Sequence, residues 1–123
     1  MKYLGVDFGL RRIGLAVSDG QLASPYKILI GKNPADLVEQ VKKEAQRFDK
    51  VVVGMPEGET GNTVLGFIKA LRRNGLDVSE ADETLSSKQA VEKMVEFNIP
   101  KEKRKFSDDM AAAIILQNWL DEG

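Results

Sequence analysis

The sequence predicts an α/β fold, with a mixed sheet and helices on both of its faces. Three observations lead to this prediction. The chain opens with three short β-prone segments, a helical period begins near Pro34, and Val51-Val52-Val53 has the continuous β-branched pattern of a buried parallel strand. An antiparallel meander followed by strand–helix crossovers gives the element order βββαβαβαα.

The first three strands are expected to form that meander. Residues 2–8 are apolar and end at Gly9, and residues 12–18 follow after a very short turn, which favours a hairpin. Asp19-Gly20 is a turn signal, and residues 26–30 are expected to form the third strand.

Helices and strands alternate after this meander. Apolar side chains at helical spacing predict a helix over residues 34–48, with Pro34 near its start. A strand is expected over residues 50–54, followed by a loop over 55–62. Apolar residues over 64–71 mark the next helix, which ends at Asn74-Gly75. A weaker strand over 76–81 and helices over 86–97 and 107–120 complete the chain.

The length and composition are those of one globular domain. The chain has 123 residues, is 42% hydrophobic and 30% charged, and contains no repeat, so we expect a single domain over residues 1–123. A membrane span needs about 18 consecutive apolar residues, and there is no such run. Asp7 interrupts the first apolar segment, which is unlike a signal peptide, so a cytoplasmic location is expected.

The absence of histidine and cysteine limits the chemistry. Disulfides, Ser-His-Asp triads, Cys-His pairs and the usual zinc sites are excluded. A metal would need oxygen ligands, which favours hard cations such as Mg²⁺ or Mn²⁺.

The charges are nearly balanced, with 18 Lys plus Arg, 19 Asp plus Glu and a net charge of −1. This balance argues against binding to nucleic acid through global charge, but it is compatible with a local basic patch. The basic clusters are Arg11-Arg12, the segment Lys101-Glu102-Lys103-Arg104-Lys105, and Arg72-Arg73, which are otherwise solvated surface charges.

Asp7 is the first candidate site residue. It lies at the end of the first predicted strand, in Gly5-Val6-Asp7-Phe8-Gly9. A carboxylate inside an apolar strand is costly unless it is paired, hydrogen-bonded or bound to metal. The alternative is an aspartate that caps the turn before Gly9.

Two further acidic positions follow a strand or open a helix. Asp82-Glu83 comes after the last predicted strand, where ligands of α/β sheets usually bind, but it could also be an acidic flank of the next helix. Asp108 follows Ser107 at the start of the last predicted helix, where it could serve as a helix cap. Apolar residues follow it at helical spacing, however, so Asp108 is expected on the face of the helix that packs on the sheet.

The three positions can meet at one edge of the sheet. One acid lies at the end of the first strand, one follows a crossover strand and one lies at a helix N-terminus. Their negative charges would repel one another unless a divalent ion offset them. Two such ions can activate water and stabilise a leaving oxygen in phosphoryl transfer.

At this point four blocks of the sequence resemble the YqgF family, also called RuvX or Holliday-junction-resolvase-like proteins. They occur in the family's order along nearly the whole chain. They are Val6-Asp7-Phe8-Gly9 with Arg11 to Asp19, Val52-Val53-Gly54-Met55-Pro56 with Gly61, Asp82 to Ser87 with Ala90, and Asp108 to Gln117.

This resemblance implies a ribonuclease-H-like fold and a metal-dependent nuclease. Family members are described as nucleases that mature the 5′ end of the 16S ribosomal RNA precursor, and some as resolvases of four-way DNA junctions. By position, Asp7, Glu83 and Asp108 would be the metal-binding catalytic acids. The residues expected to bind substrate are Arg11, Arg12, Lys103, Arg104 and Lys105, while Gly9, Gly54, Pro56 and Gly61 would shape the cleft.

Two positions depart from the family pattern. Thr84 stands where an arginine follows the Asp-Glu pair, and the loop Glu57-Gly58-Glu59-Thr60-Gly61 lacks the acid that usually precedes the glycine. The missing arginine is expected to affect substrate affinity more than metal binding.

Three classes of function therefore stand beside one another. The first is a nuclease for structured RNA that acts as a monomer or weak homodimer. Its nearest alternative is a DNA junction resolvase, which needs two active sites and hence a dimer. The second is a nucleotide-binding domain of the actin and sugar-kinase type, which normally needs two domains. The third is a non-catalytic RNA- or protein-binding module, in which the acids only cap helices.

Overall fold

The computed structural model describes residues 1–55, 61–82 and 108–122. These residues form a five-stranded sheet and three helices. The strands are β1 (Tyr3–Phe8), β2 (Arg12–Ser18), β3 (Ala23–Ile30), β4 (Lys50–Met55) and β5 (Val78–Asp82). The helices are α1 (Pro34–Ala45), α2 (Gly61–Arg73) and α3 (Asp108–Glu122).

The sheet has the strand order β3-β2-β1-β4-β5. β1 pairs with β2, and β2 with β3, in antiparallel orientation, whereas β1–β4 and β4–β5 are parallel. The predicted meander and parallel crossovers are confirmed, and β1 lies at the centre of the sheet.

Helices cover both faces of the sheet, as predicted. Leu4 and Val6 of β1 belong to the core under α1 and α2. Gly5, between them, faces α3, because a Cβ atom built on it would lie 2.8 Å from the Cβ atom of Leu116. Side chains of a strand alternate between faces, so the odd-numbered positions of β1 belong to the α3 side.

The ends of α1 are defined by local hydrogen bonds. Asn33 caps the helix, since its side chain accepts a hydrogen bond from the backbone N–H of Asp36. The helix ends at Ala45, three residues before the predicted end. The backbone N–H of Phe48 donates to Ala45 at 3.0 Å in a tighter turn, and Phe48 still packs against the core.

β3 begins three residues earlier than predicted, at Ala23. The side chain of Gln117 in α3 accepts the backbone N–H of Ala23 at 2.8 Å, which fixes the start of the strand from a distant part of the chain. Pro25 is tolerated because β3 is an edge strand and its pairing with β2 shifts register between Leu15 and Ala16.

The boundaries of the later elements also differ from prediction. The predicted loop over 55–62 is too long, because Met55 belongs to β4 and α2 begins at Gly61; residues 56–60 lie outside the described part of the chain. β5 runs from Val78 to Asp82 rather than over 76–81, so Asp82 is part of the strand. The helix predicted over 86–97 lies outside the described residues.

α3 is more buried than an amphipathic helix. Every residue from Met110 to Gln117 is buried, including Ile114, which is fully inaccessible. Ala112 and Ile115, at helical spacing from Asp108, pack on the sheet as predicted. The other positions of this stretch are buried as well, as is typical of a core helix. No helix within the described ranges is long and apolar enough to cross a membrane.

Candidate functional site

The carboxyl ends of the three parallel strands lie at one edge of the sheet. Asp7 is the last residue but one of β1, and Asp82 is the last residue of β5. Glu83, the next residue in sequence, lies outside the described range. Ligands of α/β sheets bind at such an edge, which makes it the candidate site.

Asp7 lies on the α3 face of this edge. The Tyr3 and Trp119 ring centroids are 5.5 Å apart, while Gly5, two residues further along β1, contacts Leu116 and Ala112. Two strand residues advance about 6.7 Å, which equals four to five residues of a helix. Asp7 therefore lies beside the first turn of α3.

The third predicted acid belongs to this first turn. Asp108 is the first residue of α3, although its side chain lies outside the described part of the structure. The fold thus brings Asp7 and the backbone of Asp108 towards the same edge. Whether the carboxylates of Asp7 and Asp108 meet there stays a prediction.

Asp7 has glycine on both neighbouring strands. Gly14 is its partner in β2, and Gly54 comes one residue after the Val6–Val53 pair of β1 and β4. Directly paired residues share a face of the sheet, and neither of these two glycines places a side chain opposite Asp7. Sequence reasoning missed Gly14, although the hairpin register from its short turn could have identified it.

Arg12 is the basic residue that the fold brings near Asp7. It lies two residues before Gly14 in β2 and so shares the α3 face with Asp7, as its diagonal neighbour. The Cα atoms of such diagonal neighbours are about 7–8 Å apart. Asp7 is half-buried and Arg12 is exposed.

The turn between β1 and β2 depends on Gly9. A Cβ atom at this position would lie 2.5 Å from the carbonyl oxygen of Arg12, closer than any ordinary contact. Arg11 lies exposed in the same turn, and its carbonyl oxygen accepts the backbone N–H of Gly31 at 2.9 Å. Gly9 therefore permits the tight turn that carries both arginines.

The other predicted site residues cannot be located within residues 1–55, 61–82 and 108–122. Glu83, Lys103, Arg104 and Lys105 fall outside these ranges. Within them, no three acidic side chains lie close enough to hold a metal ion. A metal site formed by Asp7, Glu83 and Asp108 stays a prediction.

The shifted pKa values belong to the opposite face of the sheet. Burial raises the pKa of Glu44, but hydrogen bonds from Lys27 and Tyr26 outweigh this effect and hold the pKa below its ordinary value of 4.5. The hydrogen bond to Glu44 raises the pKa of Lys27 above 10.5, against the effect of desolvation. These groups link β3 to α1 and lie away from Asp7.

A cavity of about 540 Å³ opens at the other end of β1. Its lining combines apolar, hydroxyl and charged groups from the strand ends and the segment after α1. The lining residues are Lys2, Val17, Ser18, Asp19, Gln21, Leu22, Ser24, Tyr26, Arg47 and Phe48. None of the predicted site residues lines it, so this cavity is separate from the candidate site.

Comparison with known proteins gives both a family and a fold. The RuvX family model, described as a Holliday junction resolvase, matches residues 1–122. A protein of Agathobacter rectalis named "Putative pre-16S rRNA nuclease" is 38% identical over 98% of this chain and 95% of its own length.

The structural comparisons concern more distant proteins. Thermus thermophilus RuvC, solved in complex with a Holliday junction substrate, has a TM-score of 0.66 at 17% identity, over 99% of this chain and 94% of that one. The fowlpox virus Holliday junction resolvase has a TM-score of 0.67 at 13% identity, over 99% of both chains. These similarities confirm the predicted ribonuclease-H-like fold.

Proposed function

The chain belongs to the RuvX family, and from this premise we propose that it is a divalent-metal-dependent nuclease that processes the 5′ end of precursor 16S ribosomal RNA. The observation that carries the proposal is the position of Asp7. It lies half-buried at the end of the central strand, on the face of α3, with Arg12 as its diagonal neighbour.

The residues at this edge suit a hard cation. Asp7, Glu83 and Asp108 offer carboxylate oxygens, and the chain has no histidine or cysteine to offer a softer ligand. Of the pair Asp82-Glu83, Glu83 is the acid that matches the family pattern by position. When bound, Mg²⁺ or Mn²⁺ would activate water and stabilise the leaving oxygen.

The protein's own groups divide the remaining work. The carboxylate of Asp7 would hold the metal, and the guanidinium of Arg12 would bind an oxygen of the substrate phosphate. Arg11, Lys103, Arg104 and Lys105 would extend this contact along the nucleic acid backbone by neutralising further phosphates.

RNA is the proposed substrate because the sequence relatives carry the name of a pre-16S rRNA nuclease. The solved junction resolvases are similar at the level of fold alone. We propose further that residues 1–123 form a single nuclease domain that acts in the cytoplasm as a monomer or weak homodimer.

The test is cleavage of a precursor 16S RNA 5′ leader and of a four-way DNA junction, with Mg²⁺ or Mn²⁺ and with EDTA. The unmodified protein is compared with Asp7→Asn and Asp108→Asn, and Glu39→Gln is the matched control. Glu39 is exposed on α1, so its substitution removes one negative charge away from the site.

We expect metal-dependent cleavage of the RNA, a loss of at least about 100-fold in both aspartate variants, and unchanged activity in the control. Cleavage of the junction instead of the RNA would change the substrate to DNA. Equal activity in Asp7→Asn, or no cleavage of either nucleic acid, would refute the catalytic role and favour a binding module.

A further inference from the structure

Exposed apolar and basic residues lie together at the edge of the sheet that carries Asp7. Leu10, Ile28 and Ile30 are 59%, 39% and 71% exposed, and Arg11 and Arg12 are exposed beside them. We refer to these five residues as the edge shelf. Single exposed apolar residues are common on protein surfaces, but a group of three with two arginines indicates a binding surface.

The sheet register connects this shelf to Asp7. Ile30 pairs with Arg12, and Ile28 pairs with Gly14, which itself pairs with Asp7. All these positions therefore share the α3 face of the sheet. Two strand spacings separate the Cα atoms of Ile28 and Asp7 by about 10 Å, which corresponds to about three stacked nucleotides.

The two parts of the shelf are also tied together by the backbone. The N–H of Gly31, directly after Ile30, donates to the carbonyl oxygen of Arg11 at 2.9 Å. The turn that carries Leu10 and Arg11 therefore lies against the end of β3. This contact places the turn beside the end of β3 that carries Ile30.

The shelf is poorly suited to pairing with another strand, although β3 is an edge strand. Pro25 has no N–H to donate, and the register of the β2–β3 pairing shifts near it. The N–H of Ala23 and the carbonyl of Ile30 are already bonded to glutamine side chains. These features discourage a second copy of the chain from extending the sheet here.

We propose that the edge shelf binds unpaired nucleotides of the RNA, next to the phosphodiester that is cleaved. The isoleucines and Leu10 contact the faces of bases, which a duplex would hide, and the arginines bind phosphates or stack on bases. The shelf thus selects RNA whose bases are unpaired near the cleavage position. This inference rests on the proposed function, because it places the substrate at the same edge.

The test measures binding without cleavage. A fluorescently labelled RNA oligonucleotide is titrated in EDTA, as a single strand and as a duplex with its complement, and the anisotropy is followed. The proteins are the unmodified chain, the double variant Ile28→Ser/Ile30→Ser, the single variant Ile30→Ser, and Leu65→Ser. Leu65 is 37% exposed on α2 and serves as the matched control.

The unmodified protein is expected to bind the single strand at least about tenfold more tightly than the duplex, as contact with one or more bases predicts. The double variant should lose most of this preference while its affinity for the duplex stays the same. Ile30→Ser, at the more exposed position, should lose part of the preference even if the double variant does not fold. Leu65→Ser should behave like the unmodified protein.

The inference is overturned if the unmodified protein shows no preference for the single strand, or if the isoleucine variants keep it. It is also overturned if sedimentation shows a dimer that the isoleucine variants dissociate without a change in RNA preference, because the shelf would then be a subunit interface. Binding in EDTA does not depend on cleavage, so the Asp7→Asn cleavage assay judges the proposed nuclease separately.

Discussion

Ile115 occupies the space that a side chain at Gly54 would need. A Cβ atom built on Gly54 would lie 2.7 Å from the Cδ1 atom of Ile115, and one built on Gly5 would meet Leu116 in a similar way. Glycines on β1 and β4 thus let α3 approach the sheet closely. This close approach fixes where the first turn of α3 lies relative to Asp7.

Gly54→Ala should therefore destabilise the protein. The added methyl group would push α3 away from the sheet, at a cost of about 1–3 kcal/mol. Urea unfolding measures this cost. Gly66→Ala is the matched control. Gly66 lies exposed in α2, and no atom lies within 4 Å of the position that an alanine Cβ would take. Alanine should therefore stabilise this helix by about 0.5–1 kcal/mol. Equal effects of the two substitutions would contradict the tight packing of α3.

Gly9→Ala should impair the placement of Arg12. The new Cβ atom would clash with the carbonyl oxygen of Arg12, and a backbone atom cannot yield as a flexible side chain can. We expect a loss of about 1–3 kcal/mol in stability together with weaker RNA binding at temperatures where the variant is still folded. Unfolding and RNA titration of the same sample measure both. Lower stability with unchanged affinity would mean that the turn does not position the arginine for substrate.

Gln117→Ala should loosen the link between α3 and the start of β3. The side chain of Gln117 accepts the N–H of Ala23 and donates to the carbonyl of Gln21 and the carboxylate of Asp121. Its loss leaves the buried N–H of Ala23 unsatisfied, which costs about 1–3 kcal/mol. Thermal unfolding of this variant measures the loss of stability. Gln46→Ala is the control, because Gln46 is exposed and its substitution should hardly change the stability. Faster amide hydrogen exchange at Ala23 would identify the cause.

Glu44→Gln should lower stability at neutral pH but not in acid. The pKa of Glu44 is lowered in the folded state, so its carboxylate stabilises the fold above the ordinary value of 4.5, and this contribution is lost as the pH falls through the lowered folded value. Urea unfolding of both proteins across this range should show a difference at pH 7 that closes in acid. A difference independent of pH would point to packing instead.

The general architecture could be predicted from the sequence because its periodic patterns are strong. The β-branched run before Gly54 and the helical spacing after Pro34 identify the central crossover, and the short turn at Gly9 identifies the hairpin. The position of Asp7 at the edge of the sheet followed from the same patterns. These features depend on local sequence, which is the level that periodicity reports.

Other features depend on contacts between distant residues. The start of β3 is set by Gln117, 94 residues away, and could not be read from the residues around Pro25. The spacing from Asp108 indicates which side of α3 packs on the sheet, but it does not show that the opposite side, with Ile114, is buried as well. Likewise, the exposure of Ile28 and Ile30 becomes visible only when the sheet is assembled.

The packing of α3 also sets an order of events during protein synthesis. This helix is translated after all five strands, and it covers small residues of each of them: Ala16, Ala23, Val52 and Ala81, together with Gly5 of β1. A nascent chain that carries the strands alone leaves that side of the sheet bare and lacks the helix start beside Asp7. The candidate site beside Asp7 is therefore completed only when α3 has packed on the sheet.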